Sequence, residues 1–249
     1  DPERGDVLAM VGGRSYRASS FNRATKAARQ VGSTVKPFTW LLAYETDRNL
    51  APTTMISDEP LEREVNGELW APRNYDGQFL GEVSMEEALA KSRNVPAIHV
   101  AEGVGLMPLV DHLKNLGLSE ARAYPSTALG AFDASPLALA AAYSVFPGEG
   151  KVVSPRLIRS VRLPDGSERM KTKVLKRRIA SDRAAFLTDV SLQATMEQGT
   201  GAGAAAHGVS GVVGGKTGTT DNGRDAWFVG YTSKIVVAVW VGFDKGKDL

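Results

Sequence analysis

A serine followed three residues later by a lysine, Ser33-Thr34-Val35-Lys36, can do chemistry that neither residue does alone. A serine hydroxyl is a weak nucleophile at neutral pH and needs a base within hydrogen-bond reach. On a helix, a side chain three positions on lies on the same face. Two further short groups follow along the chain, Ser92-Arg93-Asn94 and then Lys216-Thr217-Gly218-Thr219. In that order the three describe a serine acyl-transfer site, with Ser33 as nucleophile and Lys36 as its base.

Taken singly, the groups carry little weight. About one Ser-x-x-Lys match arises by chance in a chain of this kind, and one is present. Ser-x-Asn occurs at Ser20-Phe21-Asn22 and at Ser92-Arg93-Asn94, and only the second follows Ser33. Lys-Thr-Gly occurs once, on a glycine-flanked stretch leading into strand-like sequence. A rival reading is a phosphate-binding loop, because Ser210-Gly211-Val212-Val213-Gly214-Gly215-Lys216-Thr217 nearly fits G-x-x-x-x-G-K-[ST]. It fails because Ser210 stands where the first glycine belongs, and because strand-like Trp227-Phe228-Val229 follows where a helix should open toward phosphate.

Other chemistries find no support. His99, His112 and His207 have no metal spacing and no partners that would make a Ser-His-Asp triad. Glu86-Glu87 reads as a helix start and Asp58-Glu59 as a loop, so paired-carboxylate glycoside chemistry is not favoured. No metal or cofactor is implied. The absence of cysteine removes disulfide, zinc-thiolate and thiol-nucleophile readings. The formal net charge of +2 is spread along the chain except for a basic run at residues 171–178, which reads as a solvated face rather than a nucleic-acid site. No apolar run approaches the roughly 20 residues that span a bilayer.

The elements that must position these residues follow from patterning. Residues 6–12 read as a short strand closed by Gly12-Gly13, and residues 35–44 as an apolar helix with Pro37 in its first turn, so Ser33 sits at a helix N-terminus. Residues 50–80, rich in Pro, Asn, Gly and Asp, including Asn66-Gly67, read as loop with at most short strands. Ser84-Met85-Glu86-Glu87 is a capping box, and Val95-Pro96 restarts a helix, placing Ser92-Arg93-Asn94 in the turn between two helices. Residues 108–116, 135–146 and 181–198 read as helices, 157–163 as a strand, and 199–208 as a Gly/Ala loop. Strands at 209–216, 226–231 and 235–241 joined by short turns are expected to be antiparallel neighbours, with Lys216 at the end of the first. The fold class is therefore α/β in the α+β sense. A sheet lobe covers about 1–45 and 150–249, and a helical lobe about 46–149.

With these elements in place, the chain resembles the transpeptidase domain of bifunctional, class A penicillin-binding proteins. The likeness extends to Phe21-Asn22-Arg23-Ala24, to Arg29-Gln30-Val31-Gly32 ahead of Ser33, to Gln198-Gly199-Thr200-Gly201 and to residues 215–231. Positions 31 and 35 are valines where such sequences often carry proline and an aromatic residue. The resemblance implies a penicillin-binding protein or serine β-lactamase-like fold, an antiparallel sheet covered by helices plus an all-helical lobe, with the site between them.

It also implies roles. Ser33 would attack the carbonyl between the terminal D-alanines of a peptidoglycan stem peptide, and Lys36 would accept its proton. An ordinary lysine is neutral in fewer than about one molecule in a thousand at pH 7, so Lys36 is expected to be shifted down by burial and by Lys216. Ser92 would relay a proton and Asn94 would orient Lys36 and bind a substrate amide, with Arg93 pointing elsewhere. Lys216, with Thr217 and Thr219, would hold the substrate carboxylate, while Gly218 keeps the strand clear. The N–H groups of Ser33 and Thr219 would form the oxyanion hole.

Expected partners are peptidoglycan stem peptides and β-lactam antibiotics, on the extracytoplasmic, periplasmic side of the bacterial cytoplasmic membrane. The resemblance also brings an N-terminal glycosyltransferase domain and a membrane anchor, which are not expected within this stretch. The helix that usually follows the final strands is also not expected, which would leave apolar sheet face exposed and lower stability. Alternatives left open are a serine β-lactamase, a D,D-carboxypeptidase, and a non-catalytic β-lactam sensor or scaffold. Neither Glu-x-x-Leu-Asn nor Tyr-x-Asn, which a β-lactamase would carry, is found.

Overall fold

The computed structural model describes residues 1–65, 67–220, 223–245 and 247–249. From the N-terminus come helix α1 (Arg23–Lys26), strand β1 (Arg29–Gln30), a 3-10 turn over Gly32–Val35 and helix α2 (Lys36–Thr46). Strands β2 (Met55–Asp58), β3 (Arg63–Val65), β4 (Glu68–Trp70) and β5 (Gly81–Ser84) follow. Helices α3 (Met85–Ala90), α4 (Asn94–Val104) and α5 (Leu106–Asn115) come next. After β6 (Asp133–Ala134) and α6 (Pro136–Tyr143) come β7 (Lys151–Val153), β8 (Ser160–Arg162), β9 (Glu168–Lys171) and β10 (Lys176–Arg178). The chain then forms α7 (Asp182–Glu197), β11 (Gly214–Thr219), β12 (Asp225–Tyr231) and β13 (Val236–Gly242). The last three form an antiparallel sheet in the order β11-β12-β13, and β2 pairs with β5, β3 with β4, and β8 with β9.

The central element is α2, and its sequence says why. Residues 36–44 are buried on every face, because Phe38, Trp40, Leu41, Leu42 and Tyr44 leave no polar stripe for water. Helices α4, α5 and α7 pack around it. Trp40 donates its indole N–H to Met85 O at 2.9 Å, so the one polar atom on that ring is satisfied in the core. Phe38 meets Tyr143 edge-on at 5.1 Å and stacks on Phe146 at 5.7 Å; Phe146 in turn stacks on Tyr231, carrying the aromatic core to the sheet.

Serine caps set several helix boundaries. Ser84 accepts from the Glu87 amide, Ser135 from Ala138 and Ser181 from Ala184, each closing a helix N-terminus. Two strands differ. Residues 6–12 make only an isolated bridge between Asp6 and Arg156, and Leu8 and Val11 are exposed, because no neighbouring strand offers them a ladder. The first sheet strand starts at Gly214 instead of 209, after the left-handed Gly208 and Gly211 have turned the chain, and it runs through Thr219. Lys216 therefore lies in mid-strand, opposite Val229. The strand expected at 157–163 shortens to β8, and the Gly/Ala loop winds into a 3-10 turn over Ala202–His207. Asn66 of the expected Asn66-Gly67 turn lies outside the described residues.

On the inner face of the sheet Trp227, Val229 and Tyr231 are buried. On the outer face Val237, Val239 and Val241 of β13 are exposed. Among the described residues no helix is long and apolar enough to cross a membrane.

Candidate active site

Ser33 occupies the 3-10 turn that leads into α2, and Lys36 is the first residue of that helix, its amide bonded to Ser33 O. The turn is wedged between two backbones. Gly32 adopts φ +53°, and a Cβ there would stand 2.8 Å from Thr219 O; at Gly218 a Cβ would meet Thr34 Cγ2 at 2.7 Å and Val31 O at 3.0 Å. Glycine at both places lets the serine turn lie directly against β11. The Ser33 amide belongs to the first turn of a helix, where N–H groups have no acceptor within the helix. Tyr143 fixes the other side by donating to Thr34 O at 2.6 Å.

Lys36 is fully buried and its amine is held from one direction. It donates to Ser92 O at 2.7 Å and to Asn94 Oδ1 at 2.7 Å, and lies 3.4 Å from Ser92 Oγ. Burial first, then the nearby Lys216 and Arg93 cations, push its pKa well below the lysine range, and Asp58 opposes them. A neutral amine has two N–H groups and one lone pair. In that form the two short bonds use both hydrogens and leave the lone pair to take a proton. Ser33, half-buried, makes no hydroxyl hydrogen bond among the described residues, so its proton is uncommitted.

The structure thus brings the Ser33 turn, Lys36, Ser92, Asn94 and Lys216 together. Lys216 is buried on the inner face of β11, donates to Thr217 O at 3.1 Å, and burial brings its pKa down to about 7. Strand alternation sends Thr217 and Thr219 to the opposite face, so the ammonium and the two hydroxyls do not converge as a single clamp inside the fold. β11 pairs with β12 on one side and with no strand on the other among the described residues, so one edge of it is free.

Three contributors were not legible as site residues. Thr200 shares a 2.6 Å hydrogen bond with Thr217, and its own amide bonds Ala90 O, pinning the 198–201 turn between α3 and the sheet. Asn74 accepts from the Asn94 amide at 2.7 Å, and Asp58 pairs with Arg93. Both lie in the loop-like 50–80 stretch, whose composition signals turns and nothing more. Of the histidines, His112 is buried in α5 and desolvation lowers it to about 4, and His99 faces Glu102 at 4.0 Å. No histidine bonds Ser33 among the described residues, and these contain no cluster fit to hold a metal ion.

Comparison with known proteins gives the family. Residues 1–248 match the family described as the penicillin binding protein transpeptidase domain. Penicillin-binding protein 1A of Neisseria cinerea is 36% identical over 259 residues, covering 100% of this chain and 32% of that protein. Its counterpart in Aquifex aeolicus is 38% identical over 250 residues, covering 100% of this chain and 34% of that protein. The crystal structure of penicillin-binding protein 1A from Haemophilus influenzae superposes with a TM-score of 0.88 at 27% identity, over 95% of this chain and 41% of that one. The chain therefore spans about a third of the length of the curated relatives it matches.

Proposed function

Because this chain belongs to the family of penicillin-binding protein transpeptidase domains, we propose that it cross-links peptidoglycan stem peptides through an acyl-enzyme on Ser33. The observation that carries this reading is the buried Lys36 amine, one helical turn after Ser33, held by Ser92 O and Asn94 Oδ1. Such an amine is preset to accept a proton.

Ser33 Oγ attacks the carbonyl between the two terminal D-alanines and gives its proton to Lys36 Nζ. The oxyanion lies between the N–H groups of Ser33 and Thr219, a pair that the close packing of the Ser33 turn against β11 favours. Collapse breaks the peptide bond. The proton passes from Lys36 by way of Ser92 Oγ, 3.4 Å away, to the departing D-alanine amine. A neighbouring stem's amine then takes the acyl group and Ser33 recovers its proton.

The donor peptide lies along the open edge of β11, where an extended chain finds unpaired backbone groups. Its carboxylate is met there by Lys216, Thr217 and Thr219. β-Lactams enter as mimics of the same end. In the two-lobe reading, 46–149 supplies Ser92 and Asn94 and the sheet lobe supplies β11, with the peptide between them. The reaction places this stretch of chain on the extracytoplasmic side of a bacterial membrane.

Intact-mass analysis during hours of incubation with a penicillin tests this reading on the parent and on Ser33→Ala. A lasting adduct on the parent alone is expected. An adduct lost within minutes would turn the reading toward a β-lactamase, and no adduct on the parent would overturn it.

A further inference from the structure

Among the described residues Ser92 is the one non-glycine residue near the site with a left-handed backbone, φ +58°. It follows α3, with its amide bonded to Leu89 O at 3.0 Å and that of Arg93 bonded to Ala88 O at 2.8 Å. Glycine or asparagine usually fills such a helix-ending position, because a Cβ is crowded there. A serine in that conformation has to be held by its surroundings. The conformation matters, because it turns Ser92 O and Asn94 Oδ1 onto the same amine.

What holds it is a buried polar network from the β2–β5 connection. The Arg93 side chain is only 5% exposed, and its Nε donates to Asp58 Oδ2 at 2.7 Å while Nη1 donates to Asp76 Oδ2 at 2.7 Å and Nη2 to Gln78 O. Asp58, wholly buried, also accepts from Asn74 Nδ2 at 2.7 Å and from the Leu80 amide at 3.2 Å. Asn74 Oδ1 accepts from the Asn94 amide, supplying from a distant loop the cap that α4 lacks in its own sequence. Asn94 Nδ2 donates to Arg73 O at 2.7 Å, leaving its oxygen directed at Lys36.

We propose that Arg93 is a positioning residue: its ion pairs with buried Asp58 and with half-exposed Asp76 lock Ser92 and Asn94 in the geometry that grips Lys36. The assignment rests on the acyl-transfer reading for its purpose, but its geometry is independent of turnover. The network is also charged. Lys216 and Arg93 push Lys36 toward the neutral form and Asp58 pulls the other way, so the middle residue of the triplet acts on the base without touching it.

Two readouts decide this on the whole chain. The Lys36 ε-methylene is followed by carbon NMR from pH 5 to 11, and acylation by penicillin is timed at pH 7.5, for the parent, Arg93→Gln, Arg93→Lys and Asp58→Asn. Arg93→Gln is expected to move the Lys36 titration to higher pH and to slow acylation about 100-fold, the usual cost of a misplacement near 1 Å. Asp58→Asn is expected to move the titration to lower pH. Arg93→Lys keeps the charge but cannot span both carboxylates, so its titration should stay near the parent's while acylation slows about tenfold.

Lower melting temperatures with an unmoved Lys36 titration in both Arg93→Gln and Asp58→Asn would overturn the proposal. So would Arg93→Lys acylating at the parent's rate. If Arg93→Gln does not fold, Arg93→Lys and Asp58→Asn decide the matter. A parent that takes no penicillin would overturn the acyl-transfer reading, while the titrations would still decide the role of Arg93.

Discussion

A Cβ atom at Gly218 would sit 2.7 Å from the Thr34 methyl and 3.0 Å from the Val31 carbonyl oxygen, on either side of Ser33 in the turn. Gly218→Ala is therefore expected to lever β11 away from the Ser33 turn and separate the two N–H groups of the oxyanion hole. Acylation should slow about 100-fold while the three-stranded sheet persists, measured by adduct kinetics beside circular dichroism. An unchanged rate would refute it. Lys216 makes a second residue-level prediction. With its pKa at about 7, the charge that would hold a carboxylate is lost as pH rises past 7. The second-order acylation constant for a carboxylate-bearing penicillin should fall on the alkaline side with a midpoint near that value, and this limb should vanish in Lys216→Met. The residues that could be read from sequence were those whose role is announced by type and spacing within four positions, such as Ser33 with Lys36. Asp58 and Asn74 could not, because each acts on a residue 20 or more positions away through a contact only the fold creates.

Between residue and sheet, the aromatic group around α2 decides how firmly the nucleophile is held. Tyr143 of α6 reaches Thr34 O with a 2.6 Å bond, and burial raises its pKa well above the usual value, so the hydroxyl remains a donor at every working pH. Tyr143→Phe leaves that carbonyl unpartnered in the core. A loss of about 1–2 kcal/mol is expected, or about 2–8 °C in Tm, readable by thermal denaturation. A Tm within a degree of the parent's would show that another donor replaces the hydroxyl. Helices were the more legible elements because Ser84, Ser135 and Ser181 mark their starts locally. Strands were less so. Residues 6–12 have the composition of a strand but find no partner, whereas β11 gains its full length from its register against β12, which no window of sequence contains.

For the molecule as a whole, two buried lysines govern how stability depends on pH. Lys36 and Lys216 both titrate below the ordinary lysine value when folded. Between about pH 7 and about 10.4 the unfolded chain therefore binds more protons than the folded one, and stability rises with pH across that window. Tyr44, Tyr143 and Tyr231 are raised by burial, so above about pH 10 the unfolded chain sheds tyrosine protons first and stability falls again. Melting temperature is expected to climb from pH 7 toward a maximum near pH 10 and then decline, with a shallower climb in Lys216→Met. A flat or falling profile from pH 7 to 10 would contradict the burial of the two amines.

The outer face of β13 gives that profile a practical edge. Val237, Val239 and Val241 line one side of an edge strand. The chain's isoelectric point, near 8.8, falls inside the window where folding tightens. Around that pH, copies of the molecule lose the mutual repulsion that keeps unpaired strand edges apart in solution. Precipitation thus first limits the working concentration part-way up the climb, below the pH at which the fold best resists melting.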